Sequence, residues 1–274
     1  MREDQQNGDP SSGVATGFAP IEYCAGRLDA GVLLLCDHAS NQMPPGYGTL
    51  GLTEDDLTSH RAYDIGAADM TRRLAERLEA PALLTCFSRL LIDVNRGADD
   101  PTLVMRISDR RMIPGNARVD ADEIAARRRL YWAPYRDAIA RMTEQMSAHG
   151  PLPALVSIHT FTPVWRDALR PWEIAVLWDA DARLPRPLMT ALGEAGFTVG
   201  DNEPYDGALH GDTLYDQATG HGLAHVLIET RQDLVASPAK AQALADRLAA
   251  LLKPILARPE MHWIEKSVSR TDTK

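Results

Sequence analysis

The sequence predicts a three-layer α/β/α sandwich built around a mixed, mostly parallel β-sheet. Short apolar runs are spread along the chain, and stretches with helical spacing lie between them. Runs this continuous are typical of strands covered on both faces. Strands that alternate with helices then predict a helical layer on each side of the sheet. The apolar runs cover residues 31–38, 82–87, 89–95, 154–161, 173–179 and 224–230.

The stretches between these runs carry helix signals. Met70, Leu74 and Leu78 recur at four-residue spacing, which places them on one apolar stripe of an amphipathic helix. Asp120 is positioned to cap a second, longer helix, which Pro134 is expected to kink or split. The helical layers are therefore expected to include one helix around residues 70–78 and another after residue 120.

The charge balance and the absence of certain motifs argue against several functional classes. The 29 basic and 38 acidic residues give a net charge of −9, which argues against general affinity for nucleic acid or an anionic membrane. A substrate anion would therefore need a local cluster of arginines. The sequence holds no Gly-rich phosphate loop, no GxSxG and no paired CxxC motif. Dinucleotide-binding and serine-nucleophile classes thus lack support.

The chain is expected to form one α/β domain over residues 19–263. Residues 1–18 are polar and rich in Gly, Ser and Pro, which predicts a disordered arm, and residues 264–274 predict a flexible tail. The N-terminus does not resemble a signal peptide, and no segment approaches the roughly 20 apolar residues of a membrane span. With three cysteines at spacings unlike a metal site, these features favour a cytoplasmic protein.

Two histidines follow apolar runs and are candidates for a metal pair. His38 and His159 each stand where a run gives way to small or hydroxyl residues. Ligands of open α/β sheets bind outside the carboxyl ends of the strands, so both imidazoles are expected at one edge. Either histidine alone would be typical of a structural residue. Together they favour a catalytic zinc, which takes three protein ligands and keeps an open position.

The third metal ligand is left open by the sequence. Asp64 is the first choice because zinc prefers a carboxylate to a neutral amide, although an aspartate at a helix start is often only an N-cap. His60 could be a ligand or could hold Asp64 in place. Asn41, three residues after His38, is the third choice. One zinc ion per chain is expected, and Mn, Fe or Co could occupy a similar site.

Glu229 is the candidate general base. It closes an apolar run, so partial desolvation should raise its pKa toward the range a base needs. The alternative is an ordinary exposed glutamate paired with Arg231.

Local positive charge is concentrated after the second apolar run. Arg89 and Arg96 bracket the third run, and Arg106 and Arg110 follow in a segment expected to be extended. Arginine forks bind carboxylates in a bidentate manner. If the third run is a strand, its end aims Asn95 and Arg96 at the site, and these residues with Arg106 and Arg110 are candidate substrate contacts.

The segment 201–216 is expected to cover the cleft. Within it Tyr205, Asp206 and His210 could contact substrate. A purely structural loop is the alternative.

Several motifs together resemble the N-formylglutamate amidohydrolase family, over residues 30 to 255. They occur in the family's order: DHASN (37–41), AYDIGA (62–67), SRLLIDVNR (88–96), SIHTFTP (157–163), NEPYDG (202–207) and IETRQDL (228–234). The family is related in fold to zinc carboxypeptidases and aspartoacylases. The resemblance therefore implies a phosphorylase/hydrolase-like α/β/α sandwich that carries one zinc ion.

The resemblance also implies roles for individual residues. His38 and His159 would bind zinc, and Glu229 would be the general base. The pair at 95–96 would hold a substrate carboxylate, and Arg89 would polarise the scissile carbonyl. The relatives named above place a glutamate three residues after the first histidine, where this chain has asparagine, so Asp64 is a replacement rather than a direct match.

The implied activity is hydrolysis of N-formyl-L-glutamate to formate and L-glutamate, a step of histidine degradation, with a small molecule as the binding partner. Two alternatives remain. The chain could act on another N-acyl amino acid or small peptide, or it could be a non-catalytic carboxylate-binding protein on the same fold.

Overall fold

Seven strands form one mixed sheet in the computed structural model, which describes residues 17–273. Nearly all of the predicted arm at 1–18 lies outside this range. In chain order the strands are β1 (Ile21–Cys24), β2 (Val32–Cys36), β3 (Ala82–Thr85), β4 (Ile107–Ser108), β5 (Arg111–Met112), β6 (Ala154–Phe161), β7 (Val164–Trp165), β8 (Ala168–Leu169), β9 (Ile174–Leu177), β10 (Val199–Asp201) and β11 (His225–Arg231).

The strand order in the sheet is β1-β3-β2-β6-β11-β9-β10, and the pairs β4–β5 and β7–β8 form separate hairpins. Strands β3, β2, β6 and β11 pair in parallel, whereas β1 and β9 join their neighbours β3 and β11 antiparallel. The carboxyl ends of β2, β6 and β11 therefore meet at one edge, which confirms the predicted mixed sheet.

Helices cover both faces of the sheet. They are α1 (Glu54–Leu57), α2 (Ala67–Leu78), α3 (Ala121–Arg127), α4 (Ala133–His149), α5 (Pro185–Glu194), α6 (Thr213–Gln217) and α7 (Pro238–Leu256). On β6, Val156 and Ile158 face one buried cluster, while Leu155 and Phe161 face the other. Helices α2, α5 and α7 pack on the first side, and α4 and α6 pack on the second. Among the described residues, no helix has the length and apolar character to cross a membrane.

Two helix predictions are confirmed in detail. Met70 and Leu74 are fully buried in α2, as the four-residue spacing predicts. The Asp120 side chain accepts a hydrogen bond from the Glu123 backbone N–H and so caps α3. The long helix predicted after Asp120 is not split but continues through a π-type turn over Arg128–Trp132, which joins α3 to α4 just before Pro134.

The predicted strand at 89–95 is wrong. These residues form buried turns, and donors from side chains occupy the carbonyls that a strand would use for its ladder. The Arg127 guanidinium donates to the Leu91 carbonyl at 2.8 Å, and that of Arg136 donates to the Val94 carbonyl at 3.1 Å. An apolar run buried in this way has the same composition as a buried strand, so the sequence pattern could not separate the two.

Replacing Arg136 by methionine is expected to lower the free energy of unfolding by about 2 to 4 kcal/mol. One guanidinium nitrogen of this buried residue donates to the carbonyls of Val94, Arg96 and Gly211, which would lose that donor. Urea denaturation measures the change. The exposed Arg141 of the same helix provides the control Arg141→Met; equal stability of the two variants would contradict the expectation.

The C-terminal residues 264–273, predicted to be a flexible tail, make defined contacts. Ser269 is buried, and the Arg270 backbone N–H donates to Asp179 Oδ1 at 2.9 Å. The Arg270 guanidinium also donates to both carboxylate oxygens of Asp206, at 2.5 and 3.2 Å. Because Asp206 belongs to the segment 201–216, these hydrogen bonds connect the C-terminal residues to that segment.

Candidate active site

A cavity of about 360 Å³ opens at the edge where the carboxyl ends of β2, β6 and β11 meet. Eight of the residues predicted to form the site line it: His38, Asp64, Arg89, Asn95, Arg96, His159, Tyr205 and Glu229. Strand β6 carries His159 and β11 carries Glu229, whereas His38 follows the end of β2. The fold therefore gathers side chains from distant parts of the sequence around one space.

Three buried side chains converge as a group able to hold a metal ion. Donor atoms of His38, Asp64 and His159 lie within 4.8 Å of one another. Asp64 Oδ2 is 2.8 Å from His159 Nδ1 and 3.5 Å from His38 Nδ1. His38 Nδ1 is buried and has no hydrogen-bond partner within residues 17–273. A buried nitrogen without a partner is costly, which is consistent with a lone pair reserved for a ligand.

Two further aspartates orient the histidines. Asp93 Oδ1 lies 2.7 Å from His38 Nε2, and Asp37 Oδ2 lies 3.0 Å from His159 Nε2. A carboxylate that accepts from Nε2–H leaves Nδ1 as the lone-pair nitrogen and raises its basicity. Sequence reasoning assigned no role to either aspartate. Each lies within two positions of a predicted site residue, but the pairing joins positions far apart in the sequence.

A local turn brings Asp64 to the site. Its backbone N–H donates to the His38 carbonyl at 2.9 Å, and the N-cap of α2 is Gly66 rather than Asp64. Gly66 has φ +84°, and a Cβ there would lie 2.6 Å from the Val235 carbonyl oxygen, so this position requires glycine. The Asp64 carboxylate is therefore free to meet the histidines instead of capping the helix.

The two alternatives for the third ligand are placed elsewhere. His60 lines the cavity, but its Nε2 lies 2.8 Å from Asp109. The Asn41 amide donates to the Leu57 carbonyl at 2.9 Å. Neither belongs to the converging group of the described residues, whereas Asp64 does.

The donor chemistry of the group fits zinc. Two imidazole nitrogens and one carboxylate oxygen are a common ligand set for a catalytic zinc that keeps an open position. Burial raises the pKa of Asp64, but the two histidines outweigh it and hold this pKa well below its usual value. The carboxylate therefore stays ionised, as a metal ligand must be. The aspartates behind both rings complete the arrangement found around zinc-binding histidines.

Glu229 stands directly beside His159. The two residues are register partners in the parallel pair β6–β11, so both side chains lie on the same face of the sheet. Burial raises the pKa of Glu229 to about 7, and its Oε2 has no hydrogen-bond partner in the part of the chain that the structure describes. The alternative pairing with Arg231 is not formed, because Arg231 Nε lies 2.7 Å from Asp233. A carboxylate with this pKa is suited to proton transfer near neutral pH.

The predicted carboxylate-binding residues line the same cavity. Asn95 Oδ1 accepts from the Thr213 backbone N–H at 3.1 Å, which leaves its Nδ2 as a donor. Arg96 donates to the Asn95 carbonyl at 2.8 Å and, among the described residues, has no carboxylate partner. Arg89 differs, because its Nη2 lies 2.7 Å from Asp93 Oδ2. Arg96 thus has the charge available for a substrate anion.

Arg106 and Arg110, predicted as substrate contacts, are not brought to the cavity. Arg106 is exposed and donates to the Val119 carbonyl, and Arg110 occupies the turn of the β4–β5 hairpin with φ +64°. Arg61 lines the cavity instead and forms a buried ion pair with Asp56. The hairpin reverses the segment that was expected to be extended, which explains the difference.

The predicted cover segment 201–216 does border the cavity, through Tyr205 and Asp206 among others. His210, also named as a contact, is not among the lining residues; its ring packs beside that of Tyr215 at a centroid distance of 4.7 Å.

Comparison with known proteins shows which sequences and folds this chain is similar to. Residues 30–236 match the sequence model described as N-formylglutamate amidohydrolase. The solved structure of a gene product from Agrobacterium tumefaciens has a TM-score of 0.81 and 36% identity, over 87% of this chain and 95% of that one. An N-formylglutamate amidohydrolase from Ralstonia eutropha JMP134 has a TM-score of 0.65 and 18% identity, over 86% of this chain and 99% of that one. No curated protein matches the chain.

Proposed function

Because this chain belongs to the N-formylglutamate amidohydrolase family and is therefore an amide-hydrolysing enzyme, we propose that it uses zinc to cleave the N-acyl bond of a carboxylate-bearing amino acid. N-formyl-L-glutamate is the first substrate to test. The observation that supports this most strongly is the convergence of His38, Asp64 and His159 beside the buried Glu229.

The metal would be held by His38, Asp64 and His159, whose donor atoms face one another. When bound, zinc lowers the pKa of a coordinated water and polarises a carbonyl oxygen. Asp93 and Asp37 would keep both rings in the tautomer that offers Nδ1.

Glu229 would carry the protons in this reaction. Its carboxylate takes a proton from the attacking water, whose oxygen adds to the acyl carbon. When the C–N bond breaks, Glu229 returns that proton to the leaving nitrogen. Formate and the free amine of glutamate are then the products for N-formyl-L-glutamate. Burial raises the pKa of Glu229 above its usual range, which suits both steps, because the group must accept and release a proton at the same pH.

Arg96, Asn95 and Arg89 would position the substrate. The Arg96 guanidinium and the Asn95 amide donors suit the α-carboxylate of the amino acid. Arg89 is held by Asp93 next to the metal ligands and would donate to the carbonyl oxygen as negative charge develops there.

Metal analysis coupled to an assay of amine release tests this proposal. We expect about one zinc per chain and release of glutamate from N-formyl-L-glutamate that a chelator abolishes and zinc restores. Purified protein that binds no metal and releases no amine after zinc is added would contradict the proposal. Zinc with turnover of a different N-acyl amino acid would retain the reaction and replace the substrate.

Asp93→Asn is expected to weaken zinc binding roughly 10- to 100-fold. The amide can offer its NH₂ group to His38 Nε2, which would move the ring proton to Nδ1, the nitrogen that faces Asp64. Competition with a fluorescent chelator measures the affinity. Asp109→Asn is the matched control, since Asp109 pairs with His60 outside the metal-binding group; equal affinities of the two variants would refute the role of Asp93.

A further inference from the structure

An aromatic wall lines one side of the cavity. The guanidinium of Arg170, a residue only 7% exposed, lies 5.7 Å from the ring centroid of Phe161, 5.4 Å from that of Trp165 and 5.1 Å from that of Tyr205. All three rings line the cavity, whereas Arg170 lies behind them. They come from the end of β6, the β7–β8 hairpin and the segment 201–216. One buried cation thus holds three separate segments together as a single wall.

The position of Arg170 behind the wall is fixed by its place in the chain and by a hydrogen bond. Arg170 follows β8 directly, and its Nη1 donates to Thr162 Oγ1 at 3.3 Å at the start of the hairpin. The apolar surface continues on the sheet, where Leu227 lies two residues before Glu229 on the same strand face and pairs with Leu177 of β9. Apolar surface therefore reaches from the wall to the position of the proposed base.

Few positively charged groups of the cavity are available to bind a second carboxylate of a substrate. Of the arginines that line it, Arg61 is paired with Asp56 and Arg89 with Asp93, and only Arg96 lacks a carboxylate partner among the described residues. N-formyl-L-glutamate brings two carboxylates and the smallest acyl group. At protein-like packing density it would occupy roughly 200 Å³, clearly less than the cavity of about 360 Å³.

We infer that the preferred substrate carries an apolar ring in addition to the scissile amide and one carboxylate for Arg96, and that this ring packs on the wall of Phe161, Trp165 and Tyr205. The inference rests on the proposed amide hydrolysis and specifies its substrate class. The ring could belong to the amino acid or to the acyl group, since both flank the same amide.

Substrates that differ in the position of the ring test the inference. For the zinc-loaded protein we compare kcat/KM within two pairs of compounds. N-formyl-L-phenylalanine is compared with N-formyl-L-alanine, and N-benzoyl-L-glutamate is compared with N-formyl-L-glutamate. At least one ring-bearing compound is expected to exceed its ring-free counterpart by about 10- to 100-fold, the gain typical of burying one aromatic ring. The better of the two shows which side of the amide carries the ring. Equal or lower values for both would overturn the inference while leaving the hydrolase activity intact.

Variants then connect the preference to the wall. Tyr205→Ala and Trp165→Ala are each expected to lower the ratio of kcat/KM for the ring-bearing over the ring-free compound about tenfold. Tyr23→Ala, at an exposed tyrosine of the edge strand β1, is the matched control and should keep the ratio. An unchanged ratio in both wall variants would also overturn the inference.

Calorimetry on Glu229→Gln separates the two proposals. Tighter binding of a ring-bearing compound than of N-formyl-L-alanine supports the wall even if the wild-type protein shows no turnover, a result that would defeat only the proposed reaction. Binding that is equal for both compounds counts against the wall independently of any assay of activity.

Discussion

The Glu229→Gln variant is expected to lose roughly 10²- to 10⁴-fold in kcat while still binding zinc and ligand. Glutamine has the shape of glutamate but cannot take a proton from water at neutral pH. Glu229 is 8% exposed and its Oε2 accepts no hydrogen bond from any described residue, so the substitution breaks none at that oxygen. Single-turnover amine release measures the loss, and chelator competition measures the zinc.

The pH profile gives a second measure of the same role. Burial raises the pKa of Glu229 to about 7 before a cation binds, and the base must be deprotonated, so kcat/KM of the wild type should fall as the pH drops below neutral. The bound cation favours the carboxylate and moves the fall to lower pH. Glu144→Gln, at an exposed glutamate of α4, should keep both the rate and the profile. Full activity in Glu229→Gln would assign the proton transfer to another group.

The sheet and part of the site could be predicted because they depend on local patterns. The runs that become β2, β6 and β11 are rich in apolar residues, and this composition follows from burial on both faces. Since parallel strands present their carboxyl ends at one edge, a residue near the end of such a run can be placed without knowledge of the rest. His38, His159 and Glu229 were placed in this way, and all three line the cavity.

The segment 89–95 shows where local pattern fails. Its apolar residues are buried as predicted, but its carbonyls are satisfied by guanidinium groups from the helical layer rather than by a neighbouring strand. Asn95 and Arg96 nevertheless reach the cavity, because the turns direct them to the same edge that a strand would have reached. The placement was correct although the predicted element was wrong.

Contacts that do not follow from the common edge of the strand ends could not be predicted. The bonds of Asp93 to His38 and of Asp37 to His159 span 55 and 122 positions. The positions of Arg106 and Arg110 depend on the short hairpin β4–β5. Its strands have two residues each, too few to show the alternation of apolar and polar residues that marks a strand. Sequence reasoning therefore named the residues with the reactive groups and missed those that orient them.

His38→Ala is expected to lower zinc affinity by more than roughly 100-fold, because it removes a ligand and not only a residue that orients one. Two donors, Asp64 and His159, would remain of the group of three. Chelator-sensitive activity should disappear with the metal. Elemental analysis of the dialysed protein gives the zinc content, and circular dichroism shows whether the variant is folded.

His60→Ala is the control that makes this test selective. His60 also lines the cavity, and its imidazole is bound to Asp109 rather than to the metal-binding group. If Asp64 is the third ligand, His60→Ala keeps its zinc and Asp64→Asn loses it. Zinc retained in His38→Ala, or lost in His60→Ala with the fold intact, would show that the metal is bound by a different set of side chains. The sequence analysis expects Asp64 to take the place of a glutamate three residues after the first histidine, and these variants decide whether this carboxylate, three residues before α2, binds the metal.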